Sequence, residues 1–480
     1  MSRITRRTFL KGSLGAAAAA FVVSHAGHRV LGANDRIRVG VAGLHGRGGS
    51  HLGAYLGMSD VEVAWLIDVD KKVLDGAAGS VEKKAGAKPN CTQDVRKALE
   101  DKNLNAISIA TPNHWHTLMT IWAVQAGKDV YVEKPCTHNV VEGRIASDII
   151  AKSKQVVQTG TQRRSEKGWA QMVEITKSGK LGKLLISHGF ASKTRNSIGF
   201  KEPKDPPPNL DYNIWVGPAP MQPYHENLVH YNWHWFWDFG NGEIGNQGVH
   251  QTDVARWAIP GATHPTFVFS VGGRIGYKDQ GQTPNTQLTV YTYGDTLMVF
   301  EVCGLVGGKG ASGDIGRVSN DFIYEAGKVV DTGKFYPKGG DKVEKVPAMD
   351  VKLGPGSGPF GNFIAAVKSR RKEDLNAPFL EGHYSASICH VGNISWRLGK
   401  EVKWTKGAKL FENEYANEQW ARIEEHLVKN RGLKLEECPL RVGLPLKFDP
   451  AKEKFVGAPP EADKMLTRPP RKPFDVPETA

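Results

Sequence analysis

The chain has 480 residues, 40% hydrophobic and 24% charged, which is too long for one ordinary domain and suits a globular protein of two or three. Its net charge of +13 is not a nucleic-acid stripe: Arg3, Arg6, Arg7, Lys11 and Arg29 lie in an N-terminal stretch without acids, and the other basic residues are mixed with acidic ones. The five cysteines (Cys91, Cys136, Cys303, Cys389 and Cys438) form no C-x-x-C pair, which argues against a disulfide framework or a zinc site and for buried free thiols.

Thr5-Arg6-Arg7-Thr8-Phe9-Leu10-Lys11 resembles the twin-arginine export signal. The alanine-rich stretch from Leu14 to Val23 is about half the twenty apolar residues needed to span a bilayer, and it suits a signal-peptide core. Leu31-Gly32-Ala33 offers small residues for cleavage before Asn34. Residues 1–33 are therefore expected to be a signal peptide read by the twin-arginine translocation machinery. Its removal would leave a periplasmic or otherwise exported protein without a stable membrane span; an uncleaved anchor is the alternative.

Residues 34–162 read as a Rossmann dinucleotide-binding domain. Strands are expected at Ile37–Ala42, Val61–Ile67, Ala106–Ala110, Asp129–Val132 and Val156–Thr159. Helices are expected from the glycine turn to about Met58, and at Lys71–Lys84, Thr92–Leu99, His116–Ala126 and Val140–Lys152. Strands alternating with helices of this length predict a doubly wound parallel sheet. The turn after the first strand, Gly43-Leu44-His45-Gly46-Arg47-Gly48, opens a helix, where backbone amides can face a pyrophosphate. Asp68 follows about 25 residues later at the end of the next strand, placed to accept from ribose hydroxyls and favouring NAD over NADP. The second glycine of the G-x-G-x-x-G pattern is replaced by His45, so Gly46 and Gly48 are expected to take over the close backbone approach.

Two later segments are more specific: Ala110-Thr111-Pro112-Asn113-His114-Trp115-His116, and Glu133-Lys134-Pro135. With Gly160-Thr161-Gln162-Arg163-Arg164 they resemble the Gfo/Idh/MocA oxidoreductase family, through to about Trp404. The resemblance implies that Lys134 is catalytic, that the Lys134–Pro135 bond is cis, and that Thr111, Pro112, Asn113, His114 and Glu133 line the cofactor. Both segments close strands, where open α/β sheets bind ligands, and an ammonium there can stabilise a developing alkoxide. Gln162 and Arg163 are candidates for the substrate, although an arginine pair at a domain boundary more often makes interdomain ion pairs.

Residues 163–404 read as an α+β substrate domain with a large, mostly antiparallel open sheet. Strands are expected at Thr266–Arg274, Gln287–Tyr293 and Thr296–Glu301, and helices at Gly361–Ser369 and Gly382–Leu398. The stretch 224–237 is rich in aromatics and histidines, and Tyr231, Trp233 and His234 are candidates to contact a sugar ring. His225, His230 and His234 lack metal-ligand spacing, so no metal is expected. In Gly245–Trp257, read as a helix, Asn246, His250 and Asp253 fall on one face. The family resemblance places a histidine at His250 as general base and an aspartate four residues earlier, where this chain has Asn246. Residues 405–480 read as an amphipathic helix, Asn413–Val428, and a proline-rich arm without evident chemistry.

The resemblance implies hydride transfer between NAD and a hydroxyl-bearing carbon of a sugar or cyclitol, with Lys134 and His250 as acid–base pair and Asn246 beside them. It also implies a homo-oligomer as an option, through the open sheet. Two alternatives stay open: an NAD-dependent glycoside hydrolase working by transient oxidation and elimination, and, given Asn246 and His45, a non-catalytic exported binding protein.

Overall fold

A computed structural model describes residues 36–307, 315–340 and 342–477; the expected signal peptide lies outside them. The first sheet holds β1 (Ile37–Ala42), β2 (Val61–Ile67), β3 (Asn90–Thr92), β4 (Ala106–Ile109), β5 (Asp129–Val132) and β6 (Val157–Thr159). Its order is β3-β2-β1-β4-β5-β6, with every pairing parallel. Helices cover both faces, so β4 and β5 are buried at each position, which explains their unbroken apolar runs. The order reverses between β1 and β4, and this switch point opens a crevice at the strands' carboxyl ends.

Helix boundaries follow local capping. The Asp70 carboxylate accepts from the amides of Lys72 and Val73 and starts the helix Lys71–Ala85, which ends at left-handed Gly86. Asn139 caps Val140–Lys152 in the same way. Two boundaries differ from expectation. The helix expected from Thr92 is preceded by β3 and begins at Val95, because Asp94 supplies the cap. The helix expected from His116 begins at Asn113, directly after Pro112.

The second sheet has twelve strands. They are β7 (Leu184–Ser192), β8 (Phe267–Gly273), β9 (Thr286–Tyr293), β10 (Thr296–Cys303), β11 (Val318–Tyr324), β12 (Gly327–Val330), β13 (Lys334–Pro337), β14 (Glu344–Lys345), β15 (Lys400–Val402), β16 (Leu440–Val442), β17 (Leu446–Asp449) and β18 (Lys454–Val456). The order is β14-β13-β12-β11-β7-β10-β9-β8-β16-β15, with β17 joining β8 to β18; β7 and β10 pair in parallel and the other pairings are antiparallel.

One face of this sheet, including Val268, Tyr291, Met298 and Phe300, packs on the helices Gly248–Trp257 and Phe379–Arg397. The opposite face, including Val271, Leu288, Val290 and Val299, is covered by Trp420, Ile423 and Leu427 of the helix Glu414–Lys429. The face expected to be available to a second subunit is thus covered in part by the chain itself. The C-terminal segment does more than wrap, since β16, β17 and β18 extend the sheet. Its Glu453 carboxylate sits between His264, His383 and Arg144, tying the segment to both domains.

The chain also returns to the first domain. Phe363, Ile364 and Val367 of the helix Gly358–Ser369 complete the core beneath β1 and β5. No helix among the described residues is long and apolar enough to cross a membrane.

Candidate active site

A cavity of about 270 Å³ lies where the carboxyl ends of β1, β2, β4 and β5 meet the loop 214–234 of the second domain. Gly43, His45, Gly46, Arg47, Asp68, Thr111, Pro112, Asn113, Glu133, Lys134, Tyr231, Trp233, His234 and Asn246 all line it.

The glycine turn has the geometry of an anion cradle. Gly46, the residue before the helix Arg47–Tyr55, adopts φ 57°, and a Cβ placed there would meet nothing within 4 Å. Its backbone is therefore open to a ligand at a helix N-terminus. Gly48 is buried behind it against Gly43. His45 swings outward and stacks on His230 at 4.7 Å between ring centroids. The imidazole thus leaves the backbone approach clear. Asp68 accepts from the amides of Leu44 (2.7 Å) and Asp70 (2.9 Å), and burial pushes its carboxyl pKa up. Each oxygen keeps a lone pair that can accept from a ribose hydroxyl.

Glu133 is the electrostatic centre of the first domain's wall. Its buried carboxylate accepts from Arg47 Nε (2.8 Å) and the Lys134 amide (3.3 Å), and meets His51 Nε2 at 3.2 Å. Burial alone would raise its pKa; His51, Arg47 and Lys134 together hold it well below the usual carboxylate range. His51 Nδ1 lies 2.8 Å from Ser108 Oγ, to which Tyr55 also donates. His51, Ser108 and Tyr55 lie outside the sequence-derived site, because a histidine five residues into a helix carries no pattern of its own.

Lys134 begins the turn after β5, and its peptide bond to Pro135 is cis. Burial lowers its ammonium pKa, while the Glu133 and Glu243 carboxylates oppose that shift. Lys134 Nζ donates to the main-chain oxygen of Asn246 at 3.1 Å. The first domain's ammonium therefore reaches the second domain across the cleft.

The expected helix over Gly245–Trp257 starts earlier, as Gly242–Asn246 and Gly248–Trp257 joined through Gln247, whose own backbone is helical (φ −74°, ψ −38°). Asn246 Nδ2 donates to Glu243 Oε2 at 3.3 Å, and Arg195 grips the same carboxylate at 2.9 and 2.8 Å. Glu243 and Arg195 went unseen in the sequence. The carboxylate absent at Asn246 is present one turn earlier, three residues back in the same helix, before the segment that was expected to be helical. Burial raises the Glu243 pKa, against Arg195, Asn246 and Lys134.

His250 does not line the cavity; it is half-buried, and burial together with the Lys134 ammonium pushes its imidazole down to about 3. It stands neutral at neutral pH and is a weaker base than the sequence suggests. Asp253 faces elsewhere, in a buried ion pair with Arg164 at 2.9 Å.

Three further assignments meet a different geometry. His114 is fully buried, with Nε2 2.9 Å from the Trp215 carbonyl and its ring against Phe239, so it braces the second domain and does not face a cofactor. Arg163 donates to Asn320 Oδ1 and the Val318 carbonyl at 3.2 Å and lies over the Trp169 ring, which spends it on interdomain packing. Gln162, beside it in a 3-10 turn, does not line the cavity either. His116 lines the cavity but is fixed by the Pro135 and Thr111 carbonyls at 2.7 and 2.8 Å.

His230 is drawn to Asp70 at 3.2 Å, and His234 Nδ1 to the Tyr231 carbonyl at 2.6 Å. Among the described residues, His264, His383 and Glu453 form one cluster of metal-ligating type. Arg144 already neutralises that carboxylate, so hydrogen bonding accounts for it.

The cavity fits a nicotinamide dinucleotide. Besides the open Gly46 backbone, Thr111 Oγ1 is buried in its wall without a hydrogen-bond partner.

Comparisons with known proteins agree with this architecture. The model "Oxidoreductase family, NAD-binding Rossmann fold" of Gfo/Idh/MocA matches residues 37–161, and "Oxidoreductase family, C-terminal alpha/beta domain" matches 183–429. A twin-arginine translocation pathway signal sequence matches residues 3–23. The chain is 32% identical over 117 residues to scyllo-inositol 2-dehydrogenase (NAD(+)) of Bacillus subtilis, covering 24% of this chain and 34% of that protein. It is 28% identical over 218 residues to a glycosyl hydrolase family 109 protein of Shewanella baltica, covering 40% of this chain and 46% of that one. The matches thus span a third to a half of these curated relatives. The fold resembles the WlbA dehydrogenase of Bordetella pertussis, solved with NADH and UDP-GlcNAcA, with TM-score 0.56, 16% identity and coverage of 75% of this chain and 94% of that one. A Rossmann half and a large-sheet half, each matched by its own model, establish that the chain belongs to the Gfo/Idh/MocA oxidoreductase family.

Proposed function

We propose that this protein is an exported, NAD-dependent oxidoreductase that oxidises or reduces a hydroxyl-bearing carbon of a cyclitol or sugar. The observation that carries the reading is the Lys134 ammonium, set in the cavity wall and donating across the cleft to Asn246. NAD bound in the cavity would exchange a hydride with the substrate carbon. The chain's own groups do the rest. Gly46 and the following helix amides hold the pyrophosphate, Asp68 holds a ribose, and Thr111 and Asn113 border the remaining volume. NAD is preferred over NADP because the Asp68 carboxylate would repel a 2′-phosphate.

Lys134 exchanges its contact with the Asn246 carbonyl for the substrate oxygen and takes or returns the hydroxyl proton. Its lowered pKa brings the amine form within reach. His250, neutral and outside the cavity wall, makes no direct contact with the substrate in this reading. Glu243, clamped by Arg195, keeps negative charge beside the ammonium. Tyr231, Trp233 and His234 offer ring faces on the substrate side. The cyclitol relative supports the substrate class, and the signal sequence supports export to the periplasm or beyond.

A panel of cyclitols and monosaccharides, incubated with the protein and NAD, should raise the absorbance of the reduced nicotinamide. The glycosyl hydrolase relative favours a second reading, transient oxidation followed by elimination of an aglycone. Nitrophenol release from glycosides without net NADH would establish that reading. Binding of NAD with neither reaction would leave only the non-catalytic reading.

A further inference from the structure

A second cavity, of about 240 Å³, lies behind the helix Gly242–Asn246, between the turn after Lys134, one end of the helix Phe379–Arg397 and the C-terminal segment. Its walls are built differently from the first. Arg397, Lys464 and Arg468 border it against one carboxylate, the exposed Asp238. The Arg397 guanidinium lies over the Trp237 ring at 4.9 Å, with the Asp238 carboxylate the one charge that acts on it from this cavity. Arg468 is held from behind by Glu142 at 2.5 and 2.9 Å, which leaves Nη1 buried and without a partner.

His138 is 9% exposed, and neither ring nitrogen has a hydrogen-bond partner. Burial, with Arg468, His114, His390 and Arg397 around it, keeps that imidazole neutral, so it offers one N–H. The Asn139 amide nitrogen is also buried and unpartnered. Unsatisfied buried donors are costly to a fold, and here three of the residues that carry them line one cavity, as a bound acceptor would explain. A half-buried guanidinium without a salt bridge, set beside buried donors left unsatisfied, favours an oxyanion.

We propose that this cavity is a second binding site, for a monosaccharide-sized molecule carrying an oxyanion, either a planar carboxylate or a tetrahedral phosphate. Arg397 and Arg468 bind the charged group, the neutral His138 donates to it, and Lys464 screens the mouth. The site is independent of the cofactor cavity, although Asn113 of that cavity donates to Asn241 of this one at 3.2 Å.

Calorimetric titration of the full chain, saturated with NAD to block the first cavity, tests this with three probes: glucuronate, inorganic phosphate and glucose. Saturable binding of glucuronate beyond any binding shared with glucose identifies the carboxylate arm, and of phosphate the tetrahedral arm. Binding that glucose shares belongs to the substrate side of the first cavity and, if it is all that glucuronate shows and phosphate is silent, overturns the proposal. Arg397→Gln should weaken binding at least about tenfold, the loss of one charged hydrogen bond. Lys464→Gln, at an exposed position, should weaken it less and provides a variant whose folding is secure. Unchanged melting and NAD affinity show that each variant is folded. Failure of both anions to bind, or equal affinity in folded Arg397→Gln, overturns the proposal.

Discussion

Replacing Glu133 by glutamine removes one charge and almost no volume from the wall of the cofactor cavity. The carboxylate side chain is 5% exposed and its partner Arg47 is 38% exposed. Breaking a buried ion pair by deleting one member costs about 3–5 kcal/mol, but Arg47 can rehydrate, which lowers the expected cost to roughly 2–3 kcal/mol. The amide cannot serve all three donors, Arg47 Nε, the Lys134 amide and His51: its one oxygen must choose, and its NH2 then faces another donor. For a domain of this size the loss corresponds to a fall of roughly 5–10 °C in melting temperature.

The converse variant, Arg47→Gln, leaves a carboxylate only 5% exposed with His51 and the Lys134 amide but without its guanidinium, and that charge cannot rehydrate as Arg47 can, so it should cost at least as much. Urea denaturation followed by tryptophan fluorescence, with both single variants and the double variant, reads the coupling directly. A Glu133→Gln cost below about 1 kcal/mol, or costs of the two single variants that simply add in the double variant, would refute the assignment of Glu133 as the centre of this network.

Other expectations follow from the same geometry. A Cβ at Gly160 would lie 2.9 Å from the Glu133 carboxyl carbon, so Gly160→Ala should displace that side chain and weaken NAD binding, measured by nicotinamide fluorescence; unchanged affinity would count against the packing. Three buried imidazoles, His114, His234 and His390, are pushed to about 3. The unfolded chain takes up their protons below pH about 6.5 and the folded chain does not, so stability should fall as pH drops from about 6.5 toward 4.5, by up to about 1.4 kcal/mol per pH unit for each imidazole. A urea midpoint independent of pH over that window would contradict their burial. Asn246→Asp would place a second carboxylate against Glu243, 3.3 Å from the present amide. It should therefore lower stability instead of improving turnover, and a gain in both would show that the Glu243 carboxylate is not in place.

The parallel sheet was legible because its strands are covered on both faces and read as apolar runs between glycine and aspartate signals. The cavity residues supplied by β1, β2, β4 and β5 were legible for the same reason, since ligands gather at strand ends. Misreadings arose where a residue's role depends on long-range partners. Asn113 and His114 are adjacent, yet one lines the cavity and the other turns into the aromatic cluster around Trp215 and Phe239. Arg163 and Arg164 are spent on β11 and on Asp253. Asp253 is drawn off to Arg164, and His250, four residues after Asn246, does not line the cavity. β16, β17 and β18 are three or four residues each, too short for alternation to reveal, and only pairing makes them strands: β16 with β8 and β15, β17 with β8, and β18 with β17.

The central claim is that Lys134 moves the substrate proton at a site where NAD binding does not require it. Steady-state turnover and NAD affinity of Lys134→Met, measured beside the unaltered protein on whichever cyclitol or sugar it oxidises, test this most directly. NAD affinity should stay within a few-fold and turnover should fall by about 10²–10⁴. Turnover that survives the substitution undiminished would contradict it.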